Sequence, residues 1–127
     1  MGAYMIEAAV LCLALNLYHE GDKNEPIEGL FAIAQVVLNR AGRDPEKVCD
    51  VVYAPHQFSW TSKPPHVEEG RPWQNAVSVA RLSFHMADFT GGADHYHAGF
   101  VRPVWAKSMK QMGSYGNHLF YRSKRVW

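Results

Sequence analysis

Glu20 closes the most apolar stretch of the sequence, and it is the residue that we expect to carry the chemistry. The run from Ala8 to Leu15 has no polar residue, and the segment that begins at Gly21 breaks the helical pattern. A carboxyl group at the end of a buried helix is partly removed from water, which raises its pKa. A carboxyl that is still protonated near neutral pH can act as a general acid. The alternative, a solvated glutamate at a helix end, stays open on this pattern alone.

Three histidines could instead hold a metal ion. His95 and His97 are two residues apart and share one face if their segment is a strand. His118 could join them from a neighbouring strand, and three nitrogens are the ligand set of some catalytic zinc sites. A zinc-dependent amidase or peptidase is therefore an alternative function. Structural or substrate-facing histidines explain the same spacing, and we expect neither a metal nor a cofactor.

Aromatic and polar residues in the second half of the chain indicate a third chemistry, the binding and cleavage of glycans. Aromatic rings can pack against the apolar faces of sugars, and the polar groups can bond to sugar hydroxyls. The residues that we expect to bind substrate are Gln57, Ser59, Trp60, Tyr96, His97, Trp105, His118 and Tyr121. A second carboxylate, which hydrolysis needs, could come from Asp22, Glu25, Glu28, Asp50, Asp88 or Asp94. A module that binds glycan and cuts nothing is a further alternative.

Four or five helices and two strands are predicted to position these residues, the fifth being a loop or short helix that opens at Pro103. The first helix is apolar nearly all round, which is typical of a central buried helix. Apolar residues recur at helical spacing through Arg40, and Gly42 is placed to end that second helix. The helices are expected over about 3–19, 26–40, 44–54 and 73–86, and the strands over 93–98 and 118–122. The predicted fold class is α+β, with a small antiparallel hairpin or sheet beside a cleft.

Length and composition are those of one globular domain over residues 1–127, for which we expect a monomer. The formal net charge of +1 provides no strong field for nucleic acid or an anionic membrane. No Lys or Arg precedes Lys23, and Glu7 interrupts the first apolar run, so we expect neither a secretory signal nor a membrane anchor. We therefore expect synthesis and folding in a cytoplasm, with Cys12 and Cys49 reduced.

Several blocks of the sequence, in order, resemble one known family. The opening blocks are 15–20, Leu-Asn-Leu-Tyr-His-Glu, and 25–40, which ends in Val-Val-Leu-Asn-Arg. The later blocks are 48–53, 57–60, 88–98, 103–106 and 116–121. Together they are similar to the SleB-like cell-wall hydrolases, which include spore-cortex-lytic enzymes and phage lysins, and the resemblance covers about 14–122. The loop after Glu20 is one residue longer than the family's H-E-A-R-G-E-P, which leaves the counterpart of Glu25 open.

The resemblance implies a lysozyme-like fold related to lytic transglycosylases. It implies cleavage of the β-1,4 bond between N-acetylmuramic acid and N-acetylglucosamine in peptidoglycan, with Glu20 as general acid and base and no metal. It further suggests a phage endolysin that stays in the host cytoplasm until a holin releases it to the periplasm and the wall.

Overall fold

The structure is a computed structural model that describes residues 3–21, 24–54 and 57–123. The α-helices are α1 (Ala3–Glu20), α2 (Ile27–Arg40), α3 (Val48–Tyr53) and α4 (Arg71–Ser83). Short 3-10 helices lie at Pro45–Lys47, Ser59–Ser62 and Val104–Ser108. The strands are β1 (His95–Ala98), β2 (Lys110–Tyr115) and β3 (His118–Arg122). The α+β fold class predicted from the sequence is confirmed.

The most deeply buried helix is α2, whereas the sequence pattern favoured α1. Ten of the 14 residues of α2 are buried, because α1, α3, α4 and the sheet all pack against it. Leu11 of α1 is 51% exposed, so α1 buries only part of its apolar surface. The apolar composition of α1 could not reveal this, since composition does not show how many neighbours surround a helix.

A glycine ends α2 as predicted. Gly42 has a φ of 64°, and its N–H donates to the carbonyl of Asn39 at 3.0 Å. The N–H of Arg43 donates to the carbonyl of Leu38 at 2.8 Å, which completes a Schellman motif. The turn directs the Arg43 guanidinium back to the side chain of Gln35, at 2.7 Å.

The sheet is antiparallel with strand order β1-β3-β2, so β3 lies in the middle. His95 pairs with Tyr121 and His97 with Leu119, which places these residues on one face. Tyr96 pairs with Phe120 and Ala98 with His118, which places them on the face toward the helices, where Phe120 is buried in the core.

The strand β2 was missed by the prediction of two strands. Its sequence, Lys-Gln-Met-Gly-Ser-Tyr, lacks alternating apolar residues because β2 is a partly exposed edge strand. A register shift between Gln111 and Gly113 also interrupts its pairing with β3. Edge strands with a bulge and a glycine leave little periodic signal in a sequence.

The turn between β2 and β3 lies against the start of α2. Gly116 has a φ of 57° at the first of its two turn residues, a position that favours glycine. A Cβ at Gly116 would lie only 2.9 Å from the Cα of Gly29, so no larger residue fits this approach. Glu28 accepts a hydrogen bond from the N–H of Gly116 at 3.3 Å. The turn thereby anchors β3, which carries several of the predicted site residues.

Cys12 and Cys49 form a disulfide, so the expectation of two reduced thiols was wrong. The bond joins α1 to α3 across a Cα–Cα distance of 5.3 Å. Both side chains are half-buried at the contact between these helices. Sequence spacing alone does not show that two helices meet at these positions, which is why the pairing was missed.

No helix in ranges 3–21, 24–54 and 57–123 is long and apolar enough to cross a membrane.

Candidate active site

Glu20 opens into a cavity of about 290 Å³ between the end of α1, the end of α2 and the free edge of β1. The loop before the second 3-10 helix and Trp105 close its other sides. The lining residues are Glu20, Arg40, Gln57, Phe58, His95, Tyr96 and Trp105. Four of them, Glu20, Gln57, Tyr96 and Trp105, were among the residues predicted to carry chemistry or bind substrate.

The Glu20 carboxyl is partly withdrawn from water. Burial raises its pKa above the usual value for glutamate. The Tyr96 hydroxyl opposes this shift in pKa by donating to Oε1 of Glu20 at 2.7 Å, and the positive charges of His118, Arg40 and His19 oppose it more weakly. The raised pKa of Glu20 is the direction that a general acid needs.

Tyr96 is held beside Glu20 from the opposite side. Its ring meets the ring of His118 edge-on at a centroid distance of 5.5 Å. Burial and the neighbouring Glu20 carboxylate raise the pKa of Tyr96 well above 10.0, so the phenol keeps its proton and stays a hydrogen-bond donor. Tyr96 therefore remains a donor to Glu20 through the pH range in which the carboxyl titrates.

His118 lies behind Tyr96 and outside the cavity. Its Nδ1 donates to Oε1 of Glu25 at 2.8 Å, and both side chains are buried, at 8% and 0% exposure. Glu25 also accepts from the N–H of Asn117 at 3.2 Å. The geometry makes His118 a buried partner of Glu25 and a support for Tyr96; it does not reach the cavity that Glu20 lines.

Arg40 is the site residue that the sequence reasoning missed. Its Nε donates to the carbonyl of Asp94 at 2.7 Å and its Nη1 to Oε1 of Gln57 at 2.8 Å. The guanidinium also lies over the ring of Phe58, 5.5 Å from its centre. These contacts tie α2, β1 and the loop at Gln57 together and orient the Gln57 amide. The signal available in the sequence was that Arg40 ends the family-like segment Leu-Asn-Arg. We interpreted Arg40 only as the last residue of a helix.

Trp60 anchors the loop that carries Gln57 and Phe58, and it does not line the Glu20 cavity. Its Nε1 donates to the buried Oδ1 of Asn16 at 3.0 Å, and its ring stacks on His19 at 4.6 Å. Ser59 is exposed and does not line the cavity. Trp60 therefore positions Gln57 and Phe58 by fastening the loop to α1.

His97 and Tyr121 lie one step along the sheet from the cavity. Nδ1 of His97 donates to the carbonyl of Ala98 at 2.7 Å, so in the neutral ring Nε2 accepts from the Tyr121 hydroxyl at 3.0 Å. Trp105 packs edge-on against Tyr121 at 5.4 Å and also contacts His95 at 5.1 Å. Trp105 thus lines the Glu20 cavity and packs against Tyr121, which lines a second cavity together with His97.

The three-histidine zinc site does not form. His95 and His97 lie on one face of the sheet and His118 on the other, because His118 pairs with Ala98. His95 is bonded to Asp94 at 2.9 Å. Within the described ranges, no three His, Cys, Asp or Glu side chains are grouped so that they could hold a metal ion.

None of the other described candidate carboxylates lines the cavity. Asp94 is fully buried and accepts from His95 and from both the N–H and the hydroxyl of Ser123. Asp88 accepts from the N–H groups of Thr90 and Gly92 and shapes that turn. Glu25 and Glu28 bond to the β2–β3 turn, as described above, and Asp50 is exposed on α3. Asp22 lies outside the described residues. Of the described carboxylates, Glu20 alone lines the cavity.

A family model described as cell wall hydrolase matches residues 24–121, which is most of the chain. The chain belongs to the cell wall hydrolase family. The matched range begins after α1, so Glu20 itself lies outside it. A comparison with proteins of curated function gives no match.

Two solved structures share the fold of this cell wall hydrolase. The catalytic domain of the germination-specific lytic transglycosylase SleB from Bacillus anthracis aligns with a TM-score of 0.71 and 24% identity, over 90% of this chain and 93% of that chain. The catalytic domain of the Bacillus cereus SleB protein aligns with a TM-score of 0.71 and 23% identity, over 91% of each chain. The predicted lysozyme-like, SleB-type fold is confirmed.

Proposed function

We propose that this cell wall hydrolase cuts the β-1,4 bond between N-acetylmuramic acid and N-acetylglucosamine as a lytic transglycosylase, with Glu20 as the single acid and base. The observation that carries the proposal is the environment of Glu20. It is the one described carboxylate in its cavity, and burial raises its pKa. The SleB domain of similar fold is itself described as a lytic transglycosylase.

A single carboxylate favours transglycosylation over hydrolysis. Retaining glycosidases place two carboxyl groups roughly 5–5.5 Å apart, and inverting ones roughly 6.5–9.5 Å apart. Here Glu25, Glu28 and Asp94 are bonded to structural partners elsewhere. A reaction in which the sugar supplies its own nucleophile needs no second carboxylate.

In the first step Glu20 is protonated and donates its proton to the oxygen of the glycosidic bond. Because Tyr96 occupies Oε1, the proton is carried on Oε2. The bond between C1 of the muramic acid and that oxygen breaks, and positive charge develops at C1. The new carboxylate of Glu20 is stabilised by the Tyr96 hydrogen bond, which is stronger to a charged acceptor than to a neutral one.

In the second step the Glu20 carboxylate takes the proton of the muramic acid 6-hydroxyl. The oxygen of that hydroxyl bonds to C1 and closes a 1,6-anhydro ring. Glu20 is protonated again, and no water is consumed. Glu20 is half-buried at the end of α1. This position favours ring closure because it limits the access of water to the reacting atoms.

The cavity wall offers groups that can bind and orient the sugars. Arg40 holds the Gln57 side chain by its Oε1, which leaves the amide nitrogen of Gln57 to donate to a sugar oxygen. His95 donates from Nδ1 to Asp94, so its Nε2 is the ring atom that can bond to substrate. Trp105 supplies an aromatic face at the cavity wall. We infer that these residues fix the glycosidic oxygen against Glu20.

Mass spectrometry of a digest of purified peptidoglycan tests which bond is cut. Glycan cleavage releases disaccharide peptides, whereas an amidase would release free stem peptides. We expect disaccharide peptides from the wild-type protein and about 10² to 10⁴ times less of them from Glu20→Gln. Free stem peptides, or binding without any release, would overturn the proposal.

We further propose an endolysin role, in which a holin releases the enzyme from the host cytoplasm to the periplasm. The Cys12–Cys49 disulfide supports action in an oxidising compartment, since disulfides persist there and are rare in a reducing cytoplasm. Expression of the chain in a bacterial cytoplasm, with and without a co-expressed holin, tests this role. We expect lysis only with the holin, and lysis that is equally fast without it would contradict the proposal.

A further inference from the structure

The second cavity lies beside the proposed catalytic one, on the face of the sheet that carries His97 and Tyr121. It has a volume of about 480 Å³, and His97, Tyr121 and Gln111 form part of its wall. His97 follows His95 by two residues, which places it about 7 Å farther along β1. Trp105 lines the Glu20 cavity and contacts His97 and Tyr121, which line the second cavity, so its ring connects the walls of the two.

The chain around this cavity is strongly basic. From His95 to the last residue, the sequence contains six Lys and Arg and no Asp or Glu, whereas residues 1–94 contain seven Lys and Arg and twelve Asp and Glu. Two of the basic residues, Arg102 and Lys107, line the cavity. The overall charge of +1 therefore conceals an excess of positive charge in the last third of the sequence.

Both cations are placed to bind an anion. Nη1 of Arg102 donates to the carbonyls of Gly99 at 2.9 Å and Val101 at 3.2 Å, which holds the guanidinium at the cavity wall. Neither Arg102 nor Lys107 forms a salt bridge with a carboxylate in the described part of the chain. The cavity therefore presents two positive charges that no carboxylate of the described residues neutralises in a salt bridge.

Exposed apolar side chains lie at this cavity and in the loop that precedes it. Val104 lines the cavity and is 91% exposed, and Phe100 in the preceding loop is 90% exposed. Isolated exposed apolar residues are common, but Val104 lines the basic cavity, and Phe100 lies between the lining residues Gly99 and Arg102 in the sequence. A ligand with carboxylates and short aliphatic groups matches this combination.

We propose that this cavity binds the peptide stem of peptidoglycan through its carboxylates. The inference rests on the proposed function, because the stem is attached to the lactyl group of the muramic acid whose bond Glu20 cuts. The stem leaves the glycan beside the scissile bond, and the cavity lies directly beyond Trp105. Its amino acids carry free carboxylates for Arg102 and Lys107, and methyl and methylene groups for Val104. A membrane surface fits less well, since the cations line a concavity.

The test compares uncrosslinked glycan strands that carry free stems with strands whose stem carboxylates have been converted to amides. We expect kcat/KM of the wild-type enzyme to be higher on the free stems. Neutralising both cations in the double variant R102Q/K107Q should reduce that preference about fivefold, mainly through KM, because each exposed ion pair contributes modestly. High ionic strength should weaken the preference in the wild-type enzyme as well.

The matched control is K47Q/K63Q, which removes the same charge from two exposed positions outside both cavities. It should keep the wild-type preference, and so should Lys107→Arg, which keeps the charge. An equal loss in K47Q/K63Q would show a general charge effect and overturn the inference. Binding to anionic phospholipid vesicles is measured for both proteins. If R102Q/K107Q binds the vesicles more weakly than the wild-type protein but keeps the preference for free stems, the surface would be assigned to a membrane instead.

Binding separates this inference from the proposed function. The Glu20→Gln protein can be measured on immobilised strands with free or amidated stems, with and without the R102Q/K107Q changes. Weaker binding to amidated stems, dependent on Arg102 and Lys107, supports the stem site even if no glycan bond is cut. Equal binding to both strands overturns the stem site even if glycan cleavage is found.

Discussion

The Tyr96 hydroxyl donates a hydrogen bond to Oε1 of Glu20 at 2.7 Å, although the two residues are 76 positions apart in the sequence. One comes from the end of α1 and the other from the edge strand β1. Burial favours the neutral form of Glu20, and this bond favours its carboxylate. The pair therefore balances the two forms between which an acid and base must alternate.

Replacing Glu20 by Gln should lower glycan cleavage by about 10² to 10⁴, because the amide keeps the shape but cannot donate the proton. Cleavage is measured by the release of soluble fragments from purified peptidoglycan. Glu46→Gln, an exposed change on the first 3-10 helix, is the control and should keep full activity. A Glu20→Gln protein that retains more than about a tenth of the activity would place the chemistry elsewhere.

The same Glu20→Gln change should raise the midpoint of thermal unfolding at neutral pH. Burial raises the pKa of Glu20, so its favourable contribution to folding is present at low pH and is lost as pH rises through the folded pKa. At neutral pH the amide removes the cost of ionising a buried group. The difference from wild type should shrink as the pH is lowered below the usual glutamate range. A variant less stable than wild type at neutral pH would contradict the burial of Glu20.

Tyr96→Phe should move the alkaline limb of the pH–rate profile to higher pH. The hydroxyl lowers the pKa of Glu20, so its removal lets the carboxyl keep its proton longer. The maximal rate should fall about tenfold or more, because the carboxylate formed in the first step loses a charge-assisted hydrogen bond. Soluble glycan fragments are the substrate of choice for this profile. If the alkaline limb of the profile stays in place or moves to lower pH, the Tyr96 hydroxyl does not lower the pKa of Glu20.

Much of this arrangement could be predicted because it depends on local patterns. The apolar run ending at Glu20, the helical spacing before Arg40 and the glycine at 42 all determine structure within a few neighbouring residues. The parts that were missed depend on contacts between distant segments. The Cys12–Cys49 bond requires that α1 and α3 meet, and the separation of His118 from His95 requires the pairing register of β1 with β3. Neither leaves a periodic signal.

Glu25→Gln should destabilise the fold by about 3 kcal/mol, because it leaves the buried His118 without its carboxylate partner. The free energy of unfolding is measured in urea. Glu28→Gln is the comparison, since Glu28 is exposed and bonds to the same turn through Gly116. It should cost less than about 1 kcal/mol. If both variants lose the same free energy of unfolding, the Glu25–His118 pair contributes no more to stability than the exposed Glu28 bond does.

Replacing both cysteines by serine should lower the free energy of unfolding by about 3–4 kcal/mol, as expected for a disulfide that closes a loop of this length. The bond spans a sequence separation of 37. Cleavage activity of the folded variant should be kept, because neither cysteine lines the Glu20 cavity. Wild-type protein treated with a reductant should match the variant in urea unfolding. Equal stability of the oxidised and reduced forms would contradict a structural role for the bond.

Digestion of peptidoglycan in water enriched in oxygen-18 tests the central claim most directly. If Glu20 acts alone and the muramic acid 6-hydroxyl is the nucleophile, mass spectrometry should show 1,6-anhydro products without heavy oxygen. A hydrolytic muramidase run in parallel should place one heavy oxygen on each new reducing end. Heavy oxygen on the new ends made by this enzyme would show that water attacks C1, and would contradict the single-carboxylate mechanism proposed for Glu20.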